Sequence, residues 1–432
     1  MKIENYIRNR FSRIFTGESE IALENKIPSD EDLRKKFQDI KEAGLYLHIP
    51  FCEQICPYCP YNKEIYNPEV AKRYTQAIKK EIDHYAEIIG RLPVTSLYIG
   101  GGTPTTMLDS GLEDILGHIY DKLNMQCEIH LESHPNHLSQ VNLEKIKSLR
   151  VQNLSIGVES LQDKYLKFLK RPYTVEEVTA TINRAVKMNF KCVNLDFIFE
   201  LPGQTYSEVA QAGRTLVEMG VNQVAAYPLF RFPYTKMGST GKVSNFKLST
   251  IHRRRKMIGI LEDIFYSSGF ERSSVWAFTR QDEPKYCSVT VPLYIGLGAS
   301  GGSYLKDVFY LNTFNVAEYI KAHENGKNAF ALSLDMSEKM QMAAWLYWRI
   351  YETRFKKTDF KRRFNKDFDS YFIKYIRFLS CLGFLKDEGE QIILSDRGTY
   401  WLHAFEDIFS IDYISTLWGT SRQEPWPQKV VL

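Results

Sequence analysis

The sequence predicts an α/β protein, built as an open barrel of six β/α units with a C-terminal helical, winged-helix-like domain. From about residue 44, short β-branched or apolar runs alternate with long amphipathic stretches. This alternation is typical of parallel strands joined by right-handed helical crossovers. The pattern contains six such units, fewer than the eight of a closed β/α barrel, so we expect an open sheet.

Each unit is placed by its own apolar pattern. The predicted strands are Leu45–Ile49, Ser96–Ile99, Glu128–Glu132, Asn153–Gly157, Val193–Phe199 and Gln223–Tyr227. The predicted helices between and after them are Val70–Ile89, Leu112–Leu123, Leu143–Leu149, Val175–Met188, Ser207–Met219 and Thr250–Ser267. Thr174 and Glu177 have the spacing of a capping box, which marks the start of one of these helices.

Changes of pattern along the chain predict four segments. They are an N-terminal helical extension (1–43), a β/α core with an extension (44–334), the C-terminal domain (335–412) and a tail (413–432). The C-terminal domain is assigned from two helices, Glu338–Tyr351 and Phe368–Leu382, which precede a β-hairpin over 384–394. Helices followed by a hairpin of this size are typical of a winged helix.

Composition narrows the class of protein. The chain has 432 residues, and its net charge of +4 arises from 56 basic and 52 acidic residues. This near balance argues against nucleic acid or an acidic membrane surface as a partner. No apolar run approaches the roughly 20 residues that span a bilayer, and the first residues lack a signal-peptide core. We therefore expect a cytoplasmic protein without a membrane span.

Three of the seven cysteines are clustered. Cys52, Cys56 and Cys59 have the spacing Cys-x3-Cys-x2-Cys and directly follow the first predicted strand, whereas the other four cysteines are scattered singly. In a reducing compartment such clustering indicates metal binding rather than disulfides. The carboxyl end of a barrel strand is also the face on which β/α barrels perform chemistry.

Three thiolates favour an iron–sulfur cluster over a zinc site. A structural zinc ion takes four ligands, whereas a 4Fe–4S cluster on three cysteines keeps one iron open for another ligand. Two alternatives stay open at this stage. A zinc site could be completed by His48, or the three cysteines could be ordinary buried residues.

Five motifs then carry a resemblance to a known family. They are Tyr46–Cys52, Gly100–Thr105, Leu131–Pro135, Leu154–Leu161 and Asp196–Thr205. The cysteine motif, with an aromatic residue before its third cysteine, resembles the radical S-adenosylmethionine (SAM) superfamily. The five motifs together resemble the oxygen-independent coproporphyrinogen III oxidase-like family, which includes heme chaperones, heme-utilisation enzymes and class C radical SAM methyltransferases. The resemblance covers about residues 44–305, with a matching C-terminal domain after them.

The resemblance implies a fold, two cofactors and partners. The fold would be an open (β/α)6 TIM-like barrel, with a 4Fe–4S cluster on the three cysteines and SAM on the open iron. One electron, from a donor such as flavodoxin or ferredoxin, would cleave SAM to methionine and a 5′-deoxyadenosyl radical. That radical would abstract hydrogen from a small-molecule substrate, such as a porphyrin or heme-related compound. The resemblance identifies no further catalytic residue.

The same resemblance implies a set of SAM-binding residues. They are Tyr46, Gly101, Gly102, Thr103, Glu132, Glu159, Arg171 and Asp196. The glycines would let the backbone approach the methionine part of SAM and offer N–H groups, although a Gly triplet also suits a tight turn. Arg171 would meet the SAM carboxylate, although its neighbours Lys167 and Lys170 are equally typical of a solvated basic face. His48 would support the cluster side of the pocket or be a satisfied core histidine.

The subfamily is less well determined. Oxidase members have a fourth cysteine where this chain has Tyr61, which counts against a simple oxidase. The stretches 227–233, 275–278 and 296–300 are more similar to the heme-utilisation and methyltransferase branches, and a second SAM site would lie near Ala226 and Gly298. The side chains that could line a flat tetrapyrrole pocket, or simply form core, are Trp276, Phe278, Tyr286 and Phe230. The competing hypotheses are a radical SAM enzyme, a heme-binding chaperone and a structural zinc protein.

Overall fold

The computed structural model describes residues 13, 16–18, 20–239, 248–283 and 292–432. The strands of the barrel sheet are β1 (Ala22–Glu24), β2 (Ala43–Ile49), β5 (Pro93–Gly101), β6 (Asn124–Met125), β7 (Ile129–Ser133), β8 (Val151–Glu159), β9 (Cys192–Phe199), β10 (Gln223–Pro228), β11 (Phe270–Arg272), β12 (Ala277–Arg280), β13 (Tyr294–Leu297), β14 (Gly302–Leu305), β15 (Val308–Asn312), β16 (Phe330–Asp335) and β20 (Lys429–Val431). A two-stranded ladder is formed by β3 (Phe51–Cys52) and β4 (Glu64–Ile65), and a three-stranded one by β17 (Arg354–Lys356), β18 (Leu385–Asp387) and β19 (Gln391–Leu394).

Helices fill the connections between the strands. They are α1 (Asp30–Gln38), α2 (Pro68–Ile89), α3 (Leu112–Lys122), α4 (Gln140–Ser148), α5 (Asp163–Phe168), α6 (Val175–Lys187), α7 (Tyr206–Glu218), α8 (Lys236–Ser239), α9 (Leu248–Ser267), α10 (Val316–Glu324), α11 (Glu338–Tyr351), α12 (Lys357–Phe364), α13 (Phe368–Cys381) and α14 (Asp396–Gln423). Short 3-10 turns occupy Pro104–Met107 and Pro135–His137. Among the described helices, none combines the length and the apolar character needed to cross a bilayer.

The sheet is an open (β/α)6 barrel, as the sequence predicts. Its central strands run in the order β2, β5, β7, β8, β9, β10, and every neighbouring pair in this row is parallel. Beyond β10 the sheet continues with the antiparallel strands β12 and β11, and beyond β2 it continues through β13 to β16, β1 and β20. The two ends of this path, β11 and β20, do not pair with each other, so the sheet stays open.

The predicted core elements are confirmed because their apolar pattern is buried as expected. In α6, Val178, Ile182 and Ala185 are fully buried, with the helical spacing that places them on one face. Thr174 and Glu177 form the predicted capping box at the start of this helix. Strand β9 is buried at nearly every position, which is typical of a parallel sheet covered by helices.

The C-terminal segment folds as the expected winged-helix-like unit. Helices α11, α12 and α13 pack with the three-stranded sheet in which β19 lies between β17 and β18. The centre of this unit is aromatic: the Phe360 ring lies 5.3 Å from that of Trp345, 5.4 Å from that of Phe368 and 5.6 Å from that of Phe372. This core is separate from the main core of the barrel.

The predicted tail is wrong, and the N-terminal extension is only partly helical. Helix α14 continues to Gln423, and strand β20 pairs antiparallel with β1, with Ala22 opposite Val431. The N-terminal segment contains α1, which begins with a capping box at Ser29, but it also contains β1. The pairing was not predictable locally, because three-residue strands have no periodicity of their own and here the partner lies some 400 residues away.

The aromatic core of the C-terminal unit gives a stability prediction. Phe360→Ala should lower the free energy of unfolding by about 3–5 kcal/mol, because it leaves a cavity among three other aromatic rings. Phe378→Ala is the control, since 63 % of the Phe378 side chain is exposed on the next helix. Urea unfolding followed by tryptophan fluorescence measures both variants. Equal destabilisation by the two substitutions would contradict this account of the core.

Candidate functional site

The cysteine loop begins where β2 ends. Cys52 lies in β3, which pairs with β4 and thereby closes the base of the loop: the Glu64 N–H donates to Pro50 O at 2.7 Å, and the Tyr66 N–H donates to Cys52 O at 2.9 Å. All three cysteines of the loop are free thiols. The loop therefore presents three sulfur donors from one short segment at the carboxyl edge of the barrel strands.

Hydrogen-bond donors from elsewhere in the barrel face two of the three sulfur atoms. The Thr103 hydroxyl donates to Cys52 Sγ at 3.5 Å, and Arg171 Nη1 donates to Cys56 Sγ at 3.4 Å. Burial raises the pKa of the Cys52 thiol to about 12 and also raises the pKa of Cys59. Burial therefore favours the neutral thiol at Cys52 and Cys59, whereas donors such as the Thr103 hydroxyl would stabilise a thiolate that ligates a metal.

Both ring nitrogens of His48 have hydrogen-bond partners, so His48 is not free to be the fourth ligand of a zinc site. His48 Nε2 lies 3.0 Å from the Asn62 carbonyl, which can only accept, so Nε2 carries the proton and Nδ1 accepts from the Tyr46 hydroxyl at 2.9 Å. Burial lowers the pKa of His48 to about 4, so the ring is neutral. Within the described residues, no group of three His, Cys, Asp or Glu side chains, the three loop cysteines included, is arranged to hold a single metal ion. His48 is therefore a satisfied buried histidine that ties β2 to the cysteine loop.

The glycine motif packs against the start of the cysteine loop. A Cβ atom on Gly101 would lie 2.5 Å from His48 Cε1, and one on Gly102 would lie 2.8 Å from Phe51 O. The Gly102 and Thr103 amides donate to Ile49 O and Phe51 O, both at 2.8 Å. The absence of side chains thus serves the contact between β5 and the loop.

The amides of the glycine motif, which the resemblance assigned to SAM, donate to protein atoms. Besides the two bonds to the loop, the Gly101 amide donates to Glu132 Oε2 at 3.1 Å. All three N–H groups of Gly101, Gly102 and Thr103 therefore have partners inside the protein. Thr103 still faces the site through its hydroxyl group, which contacts Cys52.

Three predicted carboxylates come together on adjacent strands. Glu132 is the last residue but one of β7, Glu159 ends β8, and Asp196 lies in the middle of β9. Burial, and then the charges of the other carboxylates, raise the pKa of Asp196 to about 7. Burial first and Glu159 to a lesser degree also raise the pKa of Glu132, while burial raises that of Glu159. The arrangement concentrates negative charge that water solvates poorly.

Two of these carboxylates are held by side-chain hydrogen bonds. The Tyr98 hydroxyl donates to Glu132 Oε1 at 2.6 Å. Ser155 Oγ donates to Asp196 Oδ2 at 2.9 Å, and Asn194 Nδ2 donates to Asp196 Oδ1 at 3.0 Å. The remaining lone pairs of the two carboxylates are available to a bound ligand.

Arg171 is the cation of this site, and its predicted alternative as part of a solvated basic face is wrong. Only 6 % of its side chain is exposed, and Nη1 lies 3.9 Å from Glu159 Oε1. Nε donates to the Tyr173 hydroxyl and Nη2 donates to Gly157 O, each at 2.7 Å. Arg171 therefore links the Cys56 side of the loop to the end of β8.

Glu159 is the strained member of the set. Its φ of 67° places the residue in the left-handed region, which is costly for a side chain other than glycine. The Tyr58 hydroxyl is buried without a hydrogen bond of normal geometry, although it faces the Glu159 carboxylate. Strained backbone and unpaired polar atoms of this kind are concentrated at functional sites.

Two tyrosines near the site contact each other, and each donates to another side chain of the site. Tyr46, which the resemblance placed near SAM, donates to His48 and stacks on Tyr98, with ring centroids 6.2 Å apart. The structure thus adds Tyr98, which holds Glu132 and was not identified from the sequence. The sequence could have indicated Tyr98, because residues two apart in a strand point to the same face, and Tyr98 therefore shares a face of β5 with Gly100.

The aromatic residues considered for a flat pocket are mostly core. Phe278 is fully buried, and Trp276 is 3 % exposed and donates through Nε1 to His403 Nε2 at 3.1 Å. Phe230 is partly buried against the Trp276 ring, at 6.1 Å. Tyr286 lies outside the described residues. The core interpretation therefore holds for Trp276 and Phe278.

The second SAM site stays a prediction. Ala226 is fully buried in β10. The Gly298 amide donates to Glu81 Oε2 at 2.8 Å, and a Cβ atom on Gly298 would collide with Tyr74 and with the His48 carbonyl. The glycine-rich stretch over 296–302 thus makes the close backbone approach that the sequence predicts, against β2 and α2.

The residues present fit an iron–sulfur cluster with a cationic ligand. Three free cysteines lie on one loop, and sulfur-directed donors surround them. Beside them lie three carboxylates, one of which, Glu159, faces the buried guanidinium group of Arg171. SAM carries an ammonium group, a sulfonium centre and ribose hydroxyls, all of which such carboxylates stabilise.

The raised pKa of Asp196 gives a pH prediction. The ordinary pKa of an Asp side chain, 3.8, applies to Asp196 in the unfolded chain, whereas its pKa in the folded protein is about 7. Ionisation of Asp196 therefore lowers the free energy of unfolding as pH increases from 3.8 through about 7. Asp196→Asn removes this effect, so the variant should gain stability relative to the wild type by roughly 1–3 kcal/mol between pH 5 and pH 8.5. Urea unfolding of the metal-free chain at both pH values measures the difference, with Asp121→Asn as the exposed control. A pH-independent difference would contradict the burial of an ionisable carboxyl at this position.

Comparisons with known proteins agree with this geometry. A model of the Radical SAM superfamily matches residues 46–216. The heme chaperone HemW of Bacillus subtilis is 23% identical over 360 residues, which cover 82% of this chain and 95% of that protein. The oxygen-independent coproporphyrinogen III oxidase of Escherichia coli is 23% identical over 307 residues, which cover 67% of each protein.

A solved structure shows the same fold. The coproporphyrinogen III oxidase HemN from Escherichia coli, described as a radical SAM enzyme, superposes with a TM-score of 0.76 at 19% identity and covers 90% of this chain and 94% of that one. The fold and the cysteine motif agree with these comparisons: residues 46–216 match the Radical SAM superfamily, and the chain is similar to the HemN and HemW proteins of the coproporphyrinogen III oxidase-like family.

Proposed function

We propose that this chain is a radical SAM enzyme that holds a 4Fe–4S cluster on Cys52, Cys56 and Cys59 and acts on a porphyrin, a heme-related compound or another unsaturated small molecule. The observation that carries the proposal is the juxtaposition of three free thiols with three partly buried carboxylates at one edge of the barrel. When bound, the cluster and SAM together supply a one-electron cleavage that yields methionine and a hydrogen-abstracting 5′-deoxyadenosyl radical.

The carboxylates orient the sulfonium cofactor by charge. Glu132 is held by the Tyr98 hydroxyl, and Asp196 is held by Ser155 and Asn194. Because these donors are neutral, the two carboxylates keep their negative charge when they are ionised. A cationic ligand lowers the pKa of both carboxyls, because it offsets the repulsion between them. Binding of SAM is therefore coupled to loss of protons from this set.

Arg171 complements the other end of the ligand. Its guanidinium group lies between Cys56 and Glu159, where it can face a carboxylate bound beside the cysteine loop. Because Arg171 is buried, water is excluded from the ion pair between its guanidinium group and the ligand carboxylate, which strengthens that pair. In this proposal the carboxylates receive the ammonium and hydroxyl groups of SAM, and Arg171 stabilises its carboxylate.

The relatives support a tetrapyrrole-related substrate class but divide on the activity. One is named a heme chaperone and another a coproporphyrinogen III oxidase. This chain has Tyr61 where oxidase members have a further cysteine, so we do not propose coproporphyrinogen oxidation in particular. The one-electron donor would be a small redox protein of the flavodoxin or ferredoxin type.

A heme chaperone is the second candidate. It is favoured because the HemW relative is matched over 95% of its own length, compared with 67% for the oxidase of Escherichia coli. In that case the cluster residues would be kept while heme is bound and transferred without substrate turnover.

Removal of one cluster cysteine tests the enzyme. After anaerobic reconstitution with iron and sulfide, the wild type should form 5′-deoxyadenosine from SAM and dithionite. Cys56→Ala should reduce this by at least about a hundredfold, because the cluster loses one of three protein ligands. Cys381→Ala, an exposed cysteine of the C-terminal unit, should match the wild type. A colourless wild-type protein that contains zinc and no iron would refute the proposal.

Turnover distinguishes the two candidate functions. With coproporphyrinogen or heme present, the enzyme should consume SAM and convert the tetrapyrrole to a product of different mass, which mass spectrometry detects. The chaperone would instead bind heme stoichiometrically, as followed by its Soret absorbance, and leave its mass unchanged. Glu132→Gln should weaken SAM-dependent turnover about tenfold or more and leave heme binding intact.

A further inference from the structure

The last turn of α14 lies against the cysteine loop. Arg422 Nη2 donates to Pro60 O at 2.7 Å and to Tyr61 O at 2.6 Å. Its guanidinium group lies over the Tyr234 ring, 4.7 Å from the centroid. This places the end of the helix on the segment that directly follows Cys59.

Trp418 extends the same contact by one helical turn. Its ring lies 6.1 Å from that of Tyr61, 6.5 Å from that of Tyr234 and 6.0 Å from that of Phe314. Because residues four apart share one face of a helix, Trp418 and Arg422 together cover the loop. The contact combines an aromatic wall with a charged hydrogen-bond donor.

The covered segment has little regular structure of its own. From Cys59 to Lys63 its carbonyl groups are held by side chains instead: Lys63 Nζ donates to Cys59 O at 2.7 Å and to Tyr61 O at 2.9 Å. The Asn62 side chain donates to Phe314 O at 2.7 Å. The position of Cys59 therefore depends on side-chain contacts, and those of Arg422 are made from outside the barrel.

Arg422 also places a positive charge on the segment that directly follows Cys59, through its bonds to Pro60 O and Tyr61 O. A cluster gains one negative charge when it is reduced. A nearby cation therefore stabilises the reduced form more than the oxidised form and raises the reduction potential.

We propose that the end of α14 forms one wall of the cluster site. In this wall Arg422 is a positioning residue, which holds the loop after Cys59 and raises the reduction potential of the bound cluster. Trp418 shields that side of the loop from solvent and oxygen. The proposal rests on the proposed function, since it concerns the cluster. The proposal goes beyond the proposed function because it gives the C-terminal helix α14 a defined role.

The test compares Arg422→Gln with Arg397→Gln after anaerobic reconstitution. Arg397 is a matched control because it lies near the other end of the same helix, roughly 37 Å away, and also stacks on an aromatic ring, that of Phe384. Two quantities are measured: the midpoint potential, by a redox titration followed by electron paramagnetic resonance, and the rate at which the cluster absorbance bleaches in air. Thermal unfolding of the metal-free chains reports whether each variant folds.

Arg422→Gln should shift the midpoint potential to more negative values and speed bleaching by about tenfold, because the loop loses its charged hydrogen bonds. Arg422→Lys should restore the potential but only part of the protection, since lysine keeps the charge and lacks the stacked planar donor. Trp418→Ala should speed bleaching and leave the potential near that of the wild type. Arg397→Gln should match the wild type in both measurements.

The outcomes separate this proposal from the proposed function. If the wild type binds a cluster and Arg422→Gln keeps its potential and bleaching rate, the wall has no such role and the enzyme proposal stands. If the wild type binds no cluster, the enzyme proposal fails first. Should Arg422→Gln not fold, unchanged bleaching in both Arg422→Lys and Trp418→Ala would overturn the role of the helix.

Discussion

The site depends on how closely the end of β5 approaches the end of β2. The backbone of Gly101 and Gly102 lies so near His48 and Phe51 that a single added methyl group would collide with them. This contact sets the distance between the cysteine loop, which follows β2, and the neighbouring strands. A bulkier residue in the glycine segment would push the loop away from the carboxylates, so the shape of the site is determined by two missing side chains.

The second constraint is electrostatic. Parallel strands end at the same edge of a sheet, so acidic residues at those ends are forced together. Here Glu132, Glu159 and Asp196 meet in a partly dehydrated space, where Glu159 raises the cost of ionising Glu132 and both raise that of Asp196. Neutral donors such as Ser155 reduce this cost without cancelling the charge. The protein therefore holds a site whose repulsion is relieved by a positively charged ligand, which links stability to binding.

The sequence predicted the barrel well, because both of its signals are local. Strand and helix positions follow from apolar periodicity, and the cysteine loop follows from spacing within eight residues. The carboxylates could also be grouped, since the family resemblance assigned Glu132, Glu159 and Asp196 to one ligand. What failed was everything that depends on contacts between distant segments. For Arg171 the lysine neighbours left a solvated face and a ligand contact equally open, and only the fold shows that its side chain is buried. The pairing of β1 with β20 and the contact of Arg422 with the loop had no local signal at all.

The pairing of β1 with β20 has a consequence for the cysteine loop. Strand β20, at Lys429–Val431, fastens the segment that follows α14 to β1. Arg422, in the last turn of α14, donates to the carbonyl groups that follow Cys59. Fraying of the β1–β20 pair would therefore loosen the end of α14, so local unfolding at the edge of the sheet would reach the cysteine loop through that helix.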